Sequence, residues 1–365
     1  MSRDRKNAAT DVAKDVAAFY GRILELLDDG RRGALCTILR LEGSGPRRAG
    51  AKMLVCEAGG SCGTVGGGVL EMKAIMWARE SVQSGRALCR TVALDLQQAS
   101  EDGMTCGGEV ELLVEPLDAT TSEVRACFAS VVDLLRRGER GWLVTALSED
   151  NRGIASERFL VSGGRVLAST SPSHRGLPKD LLRTTLPTTP TVVEQESVRY
   201  FFDPLAPPTA VYVFGGGHIG MHLVALCHLL GFRTVVADDR ADFVSEDRFP
   251  DADQRLAVPS VENALESIPV GEESCIVIVT RGHGGDQAIL RQALRRRPGY
   301  IGMIGSSRKR ALIFDQLLAE GFTQADLDRV TCPIGLPVGA ETPEEIAVSI
   351  AAQLVAVRAA QRGEG

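Results

Sequence analysis

The chain has 365 residues, a length that suits two domains rather than one. Its hydrophobic content, 44%, is that of an ordinary globular protein, while a net charge of -6 and 5% aromatics exclude a general affinity for nucleic acid or an anionic membrane. No apolar stretch reaches membrane-span length and the polar start, MSRDRKNAAT, is not a secretory segment; nine cysteines without a C-x-x-C point to free thiols in a reducing cytoplasm.

The first half reads as α+β. Val12, Val16, Phe19, Tyr20, Ile23, Leu24 and Leu27 share one helical face, and that helix is expected to end near Asp28-Asp29-Gly30. A strand over Ala34 to Leu41 leads into EGSGPRRAGAKMLV, where a glycine-rich turn gathers Ser44, Arg47, Arg48 and Lys52 before a returning strand over Lys52 to Val55. Converging cations on such a turn suit an oxyanion, and equally a solvated hairpin tip.

Gly66, Gly67 and Gly68 then precede a helix through Leu70, Ala74, Trp77 and Val82, giving a second helix start with open backbone. Glu71 in its first turn is either part of a site or simply a complement to the helix dipole.

After a strand over Arg90 to Leu94 comes GMTCGGEVELLVEP. There Cys106 is flanked by Gly107 and Gly108 ahead of a strand over Val110 to Val114. A thiol on a glycine-flanked loop is the cysteine most open to chemistry, with a passive role as the other reading. Cys36, Cys127, Cys227 and Cys275 are expected to be small buried residues. A helix over Val124 to Leu135 and strands over Trp142 to Leu147, Phe159 to Val161 and Val166 to Ala168 follow. From Ser169 to Pro208 prolines mark a connecting region, with a short helix near Asp180 and a strand near Val198 to Phe202. The domains are expected to be 1–203 and 204–365, with the boundary within Pro204 to Pro208.

The second half is organised around TAVYVFGGGHIGMHLVALCHLLGFRTVVADD, Thr209 to Asp239. A β-rich run, Val211 to Phe214, meets Gly215, Gly217 and Gly220 in the spacing G-x-G-x-x-G. A helix and a second buried strand follow, and Asp238 stands where a ribose-binding acid is expected. His218 and His222 lie four apart with no third ligand in the pattern.

Alternation then continues: a helix over Val261 to Ile268, a buried strand CIVIVT ending in RGHGGD, a helix to Arg296, a strand over Tyr300 to Ile304 ending in GSSRKR, and a capped final helix from Pro343 to Arg362. In a parallel sheet these loops emerge at one edge, which would gather His218, Arg281, His283, Ser306, Arg308 and Lys309 in one crevice.

Seven segments in order resemble the XdhC/CoxI family, accessory proteins of xanthine dehydrogenase and other molybdenum hydroxylases. They are GSGPRRAGAKM, GTVGGGVLE, GMTCGGEVE, FGGGHIG, TRGHGGD, YIGMIGSSRKR and IGLPVGAETPEEIAVSI. The resemblance implies an α+β XdhC/CoxI domain followed by a C-terminal Rossmann-type, doubly wound parallel sheet.

It also implies a cytoplasmic chaperone that binds the molybdenum cofactor, as molybdopterin or a dinucleotide. The chaperone holds it while a cysteine desulfurase installs the sulfido ligand, then passes it to an apo-hydroxylase. The expected cofactor contacts are Ser44, Arg47, Lys52, Gly66, Gly67, Gly68, Glu71, Cys106, Gly215, Gly217, His218, Gly220, Asp238, Arg281, His283, Ser306 and Arg308. Cys106 is the soft ligand suited to molybdenum or its sulfur. Two other readings stand beside this: an NAD(P)-dependent oxidoreductase using the same crevice, and a docking scaffold. A homodimer through the last helix is a further expectation.

Overall fold

In the computed structural model, residues 16–94, 108–118, 121–150, 153–170, 177–183, 186–266 and 268–361 are described, without the side chains of Asp150, Arg183 and His283. The chain divides into two compact units, Met1–Pro207 and Pro208–Gly365. No helix among the described residues is long and apolar enough to cross a membrane.

The first unit opens with α1 (Val16–Asp28), β1 (Gly33–Gly43), β2 (Lys52–Cys56), β3 (Ser61–Gly63), α2 (Gly68–Ser84), β4 (Leu88–Leu94) and β5 (Gly108–Leu117). Its first sheet is antiparallel, in the order β3-β2-β1-β5-β4. Side chains alternate along a strand, so β1 serves two cores. Ala34, Cys36 and Ile38 pack with Leu70, Ala74 and Ala78 of α2, whereas Leu35 packs with Tyr20 and Ile23 of α1.

Next come α3 (Ser122–Arg136), β6 (Gly141–Asp150), β7 (Gly153–Ser162), β8 (Arg165–Ser169), α4 (Lys179–Arg183), β9 (Thr191–Gln195) and β10 (Val198–Leu205). The second sheet runs β8-β7-β6-β10-β9, also antiparallel. The proline-rich stretch expected to connect the domains holds its expected short helix, α4, and strand, β10, and contributes β9 as well. Thr191–Gln195 is an edge strand, a place where neighbouring proline is tolerated because no ladder partner is needed on the outer side.

The second unit holds β11 (Ala210–Phe214), α5 (His218–Leu229), β12 (Arg233–Asp238), β13 (Gln254–Ala257), β14 (Ser274–Ile278), α6 (His283–Arg296), β15 (Tyr300–Met303), α7 (Ser307–Ala319), α8 (Gln324–Leu327), β16 (Val330–Thr331) and α9 (Pro343–Gln361). The six strands are parallel in the order β13-β12-β11-β14-β15-β16.

Both faces of this sheet are covered. Val211, Val213, Cys275 and Val277 join Leu223, Val224, Ile350 and Leu354 on one side, and Tyr212, Phe214, Ile276 and Ile278 join Ile289, Leu290 and Ile313 on the other. Every residue of β14 is buried, as expected of a strand covered on two faces. At about 1.5–3 kcal/mol for each large buried apolar side chain, these two layers dominate the stability of the unit.

Two expectations change. Val261 to Ile268 is not an α-helix: a 3-10 turn at Val261–Asn263 is followed by single turns in which Glu266 donates its N–H to the Asn263 carbonyl and Ile268 to the Leu265 carbonyl. The apolar strand CIVIVT stops at Ile278, where Val279 turns to donate its N–H to the Phe214 carbonyl. The final helix directs Ala347, Ile350, Ala351 and Leu354 into its own unit and leaves Val348 and Val355 exposed on its outer side.

Candidate ligand site

In the first unit three of the glycine motifs meet. A Cβ on Gly66 would fall 2.4 Å from Pro46 Cγ and 3.6 Å from Arg47 Cγ, so the Ser44–Arg47 loop lies directly against the Gly66–Gly68 turn. Gly108 sits under the same loop, its Cβ position 2.4 Å from the Ser44 carbonyl. Only glycine fits either contact, and Gly66, at φ +127°, needs it for backbone reasons as well. Ser44 and Arg47 are exposed, and Arg47 makes no ion pair among the described residues. Cys106, the expected soft ligand, lies outside the described residues.

Two of the expected contacts in this unit are already used by the fold. Glu71 reaches back over the start of α2, where its Oε1 accepts the Gly67 N–H at 3.0 Å and a short bond from the Thr64 hydroxyl. The carboxylate thus takes the place an external anion would occupy at that helix start. Lys52 turns inward: Nζ donates to the Gly50 carbonyl at 2.9 Å and lies 2.7 Å from Asp203 Oδ2, with 13% of its side chain exposed. Asp203 also accepts the Tyr20 hydroxyl at 3.2 Å. Burial and the Asp203 charge push the Tyr20 hydroxyl well above the ordinary tyrosine pKa. The cation of Lys52 therefore serves a buried network rather than the loop surface.

In the second unit the strand order reverses beside β11, so the turns after β11 and β14 open side by side at the carboxyl edge of the sheet. Gly215, at φ +123°, would place a Cβ 2.4 Å from the Val279 carbonyl, and Gly220 would place one 2.1 Å from the Gly215 carbonyl. These contacts bring helix and strand together. Gly217 is different: it is the N-cap of α5, nothing lies within 4 Å of its Cβ position, and no side chain caps the helix. Gly282, the N-cap of α6, is likewise open and uncapped. Two helix starts without a side-chain cap thus stand at a topological switch point, a kind of place that suits an anion.

Around this crevice the expected residues separate. His218 and Arg308 are exposed, and Arg281 is 66% exposed in a loose pair with Asp239 at 3.5 Å. Ser306 is the N-cap of α7, its hydroxyl accepting the Lys309 N–H at 3.3 Å. The backbone of His283 opens α6. His222 pairs with Glu344 at 3.0 Å, and no metal-binding group of three acidic, thiol or imidazole side chains occurs among the described residues.

Lys309 is not a free cation: it closes on the carboxylate of Asp286, which is fully buried and accepts the Thr280 hydroxyl at 2.7 Å. Burial pushes the Asp286 carboxyl up, while Lys309 and Thr280 oppose that. The pair was hidden in the sequence, although Thr280 and Asp286 both stand in the TRGHGGD segment.

Asp238 is likewise fully engaged. Its Oδ1 accepts the backbone N–H of Arg240 at 3.0 Å and Nε at 2.8 Å; its Oδ2 accepts the Gly216 N–H at 2.8 Å and Arg240 Nη2 at 3.0 Å. Although burial raises it, these bonds bring its pKa down to about 2. A carboxylate offers about four acceptor positions, and here all are filled. The thiols of Cys36, Cys227 and Cys275 are pushed by burial to about 12, and that of Cys127 to about 11, which leaves them inert as nucleophiles.

Comparison with known proteins gives matches in both units. Residues 211–354 match the model of the XdhC Rossmann domain, and residues 26–93 that of the XdhC and CoxI family. The chain is 27% identical over 351 residues to a probable xanthine dehydrogenase subunit from Bacillus subtilis, covering 93% of this chain and 97% of that one. It is 21% identical over 342 residues to the molybdenum cofactor insertion chaperone PaoD of Escherichia coli, covering 92% and 86%. A crystal structure described as a xanthine dehydrogenase from Bacillus halodurans matches with a TM-score of 0.75 at 27% identity, over 93% of this chain and 96% of that one.

Proposed function

This chain belongs to the XdhC and CoxI family, and on that premise we propose that it is an accessory protein of a xanthine dehydrogenase-type molybdenum enzyme. It binds the molybdenum cofactor, in its molybdopterin or dinucleotide form. It holds that cargo in the cytoplasm while a cysteine desulfurase supplies the terminal sulfur, and hands it to the apo-hydroxylase. The chain itself is a carrier rather than the catalyst; once delivered, the cofactor supplies the redox chemistry of the acceptor.

The observation that carries this reading is the pair of uncapped helix starts at Gly217 and Gly282, open at the switch point of a family-matched domain. The cofactor is an anion with a phosphate tail, and free N–H groups on two helix dipoles suit that tail. Arg308 and Arg281 supply exposed charge at the same edge. In the first unit Ser44 and Arg47 are the groups left for the cargo, with Cys106 as the soft contact. The oxidoreductase reading gave Asp238 to a ribose diol, and here the four acceptor positions of that carboxylate are taken by the chain.

Native mass spectrometry of the protein purified from its own cell tests the proposal. The expected result is a bound mass equal to a molybdenum pterin, diminished in Gly217→Val and in Cys106→Ala while far-ultraviolet circular dichroism is unchanged. Wild-type protein that carries no such mass in cells actively making the hydroxylase overturns it.

A further inference from the structure

The second unit has the glycine turn of a dinucleotide site, yet the place beside its ribose acid is filled by the chain itself. Arg240 grips Asp238 through both Nε and Nη2, a forked arrangement that matches the planar guanidinium to the carboxylate. The same guanidinium lies over the Phe243 ring, 3.3 Å from its centroid. Phe243 in turn presses its carbonyl against the turn, 2.1 Å from where a Cβ of Gly216 would stand. Arg248 completes the cluster: it sits 4.9 Å from the ring and donates Nη2 to the Gly216 carbonyl at 3.1 Å. Gly216 is thereby held from both ends, its N–H by Asp238 and its carbonyl by Arg248.

We infer that Arg240 decides which nucleotides this crevice admits: it occupies the ribose seat on Asp238 and turns away adenine dinucleotides, while the uncapped start of α5 stays open to phosphates that arrive without an adenosine. A dinucleotide needs its ribose hydroxyls to donate to the acid after the second strand. Here they would have to displace a charge-assisted fork and the stacked ring behind it. A 2′-phosphate is no better served, because two of the guanidinium nitrogens are engaged and the acid that repels such a phosphate is still present. The inference concerns only the second unit and holds whatever cargo the whole chain carries.

Isothermal titration calorimetry on the full chain tests it, with NAD, NADP and ADP-ribose as probes. Wild type is expected to show no saturable binding of any of the three at millimolar concentration. Arg240→Ala frees two acceptor positions and should bind NAD and ADP-ribose tighter by roughly tenfold to a hundredfold, the range of one or two restored hydrogen bonds to a charged acceptor. Adding Asp238→Asn to that variant should abolish the gain.

Should Arg240→Ala fail to fold, Arg240→Lys, which keeps the charge but not the fork, is expected to show a smaller gain. Micromolar binding of NAD or NADP by wild type overturns the inference, as does a folded Arg240→Ala or Arg240→Lys protein with no gain over wild type.

Discussion

Asp238 and Lys52 show how far a side chain's role depends on what it meets. Both were legible as charged residues beside glycine turns, and both are claimed by internal partners. For Asp238 the consequence is a pH dependence. Its folded pKa, about 2, lies below the ordinary value of 3.8, so its stabilising contribution is complete above about pH 4 and is lost as pH falls through 2. The amount is about 2 kcal/mol at most. Asp238→Asn should therefore lower the urea midpoint at neutral pH, and the gap from wild type should close progressively below pH 4; a gap unchanged at pH 2.5 would mean that the bonds to Arg240 and Gly216 are not what lowers this carboxyl.

Lys52 is the partner of a buried Asp203. Removing one member of such a pair leaves the other charge without compensation, a loss of about 3–5 kcal/mol. Lys52→Met should show that loss in urea unfolding with an unchanged slope, whereas a neutral outcome would return Lys52 to the ligand surface.

The elements themselves were largely readable because their signals are local. Apolar residues recur at helical or alternating spacing, and glycines stand where φ is positive or backbones touch. The glycine turn around α5 gives this a quantitative form. Gly220 has 2.1 Å to the Gly215 carbonyl and Gly217 has open space, although both belong to one motif. Gly220→Ala should destabilise by about 1–3 kcal/mol through overpacking, while Gly217→Ala should change stability by less than about 0.5 kcal/mol. Thermal melts of the two variants side by side check the contrast, and equal losses would refute it.

Where the reading failed at this scale, a competing local signal was responsible. Prolines masked the edge strand Thr191–Gln195, and the buried run Ala264, Leu265, Ile268 looked helical although it closes single i→i−3 turns instead of a continuous helix.

At the scale of the whole chain, each unit has its own cores, and the second also has a complete parallel sheet. A fragment of residues 208–365 should therefore fold alone, with cooperative urea unfolding and native-like circular dichroism. A broad, non-cooperative transition would show that this unit needs the rest of the chain.

The amino-acid sequence by itself determined the two-part organisation, the alternation of the second unit and the glycine turn at its centre, because periodicity and backbone freedom are properties of neighbouring residues. Tertiary structure alone decided which charges are free. Lys52, Lys309 and Asp238 are engaged while Arg47 and Arg308 stay exposed, since a charge is spent or spared by the side chains that folding brings beside it.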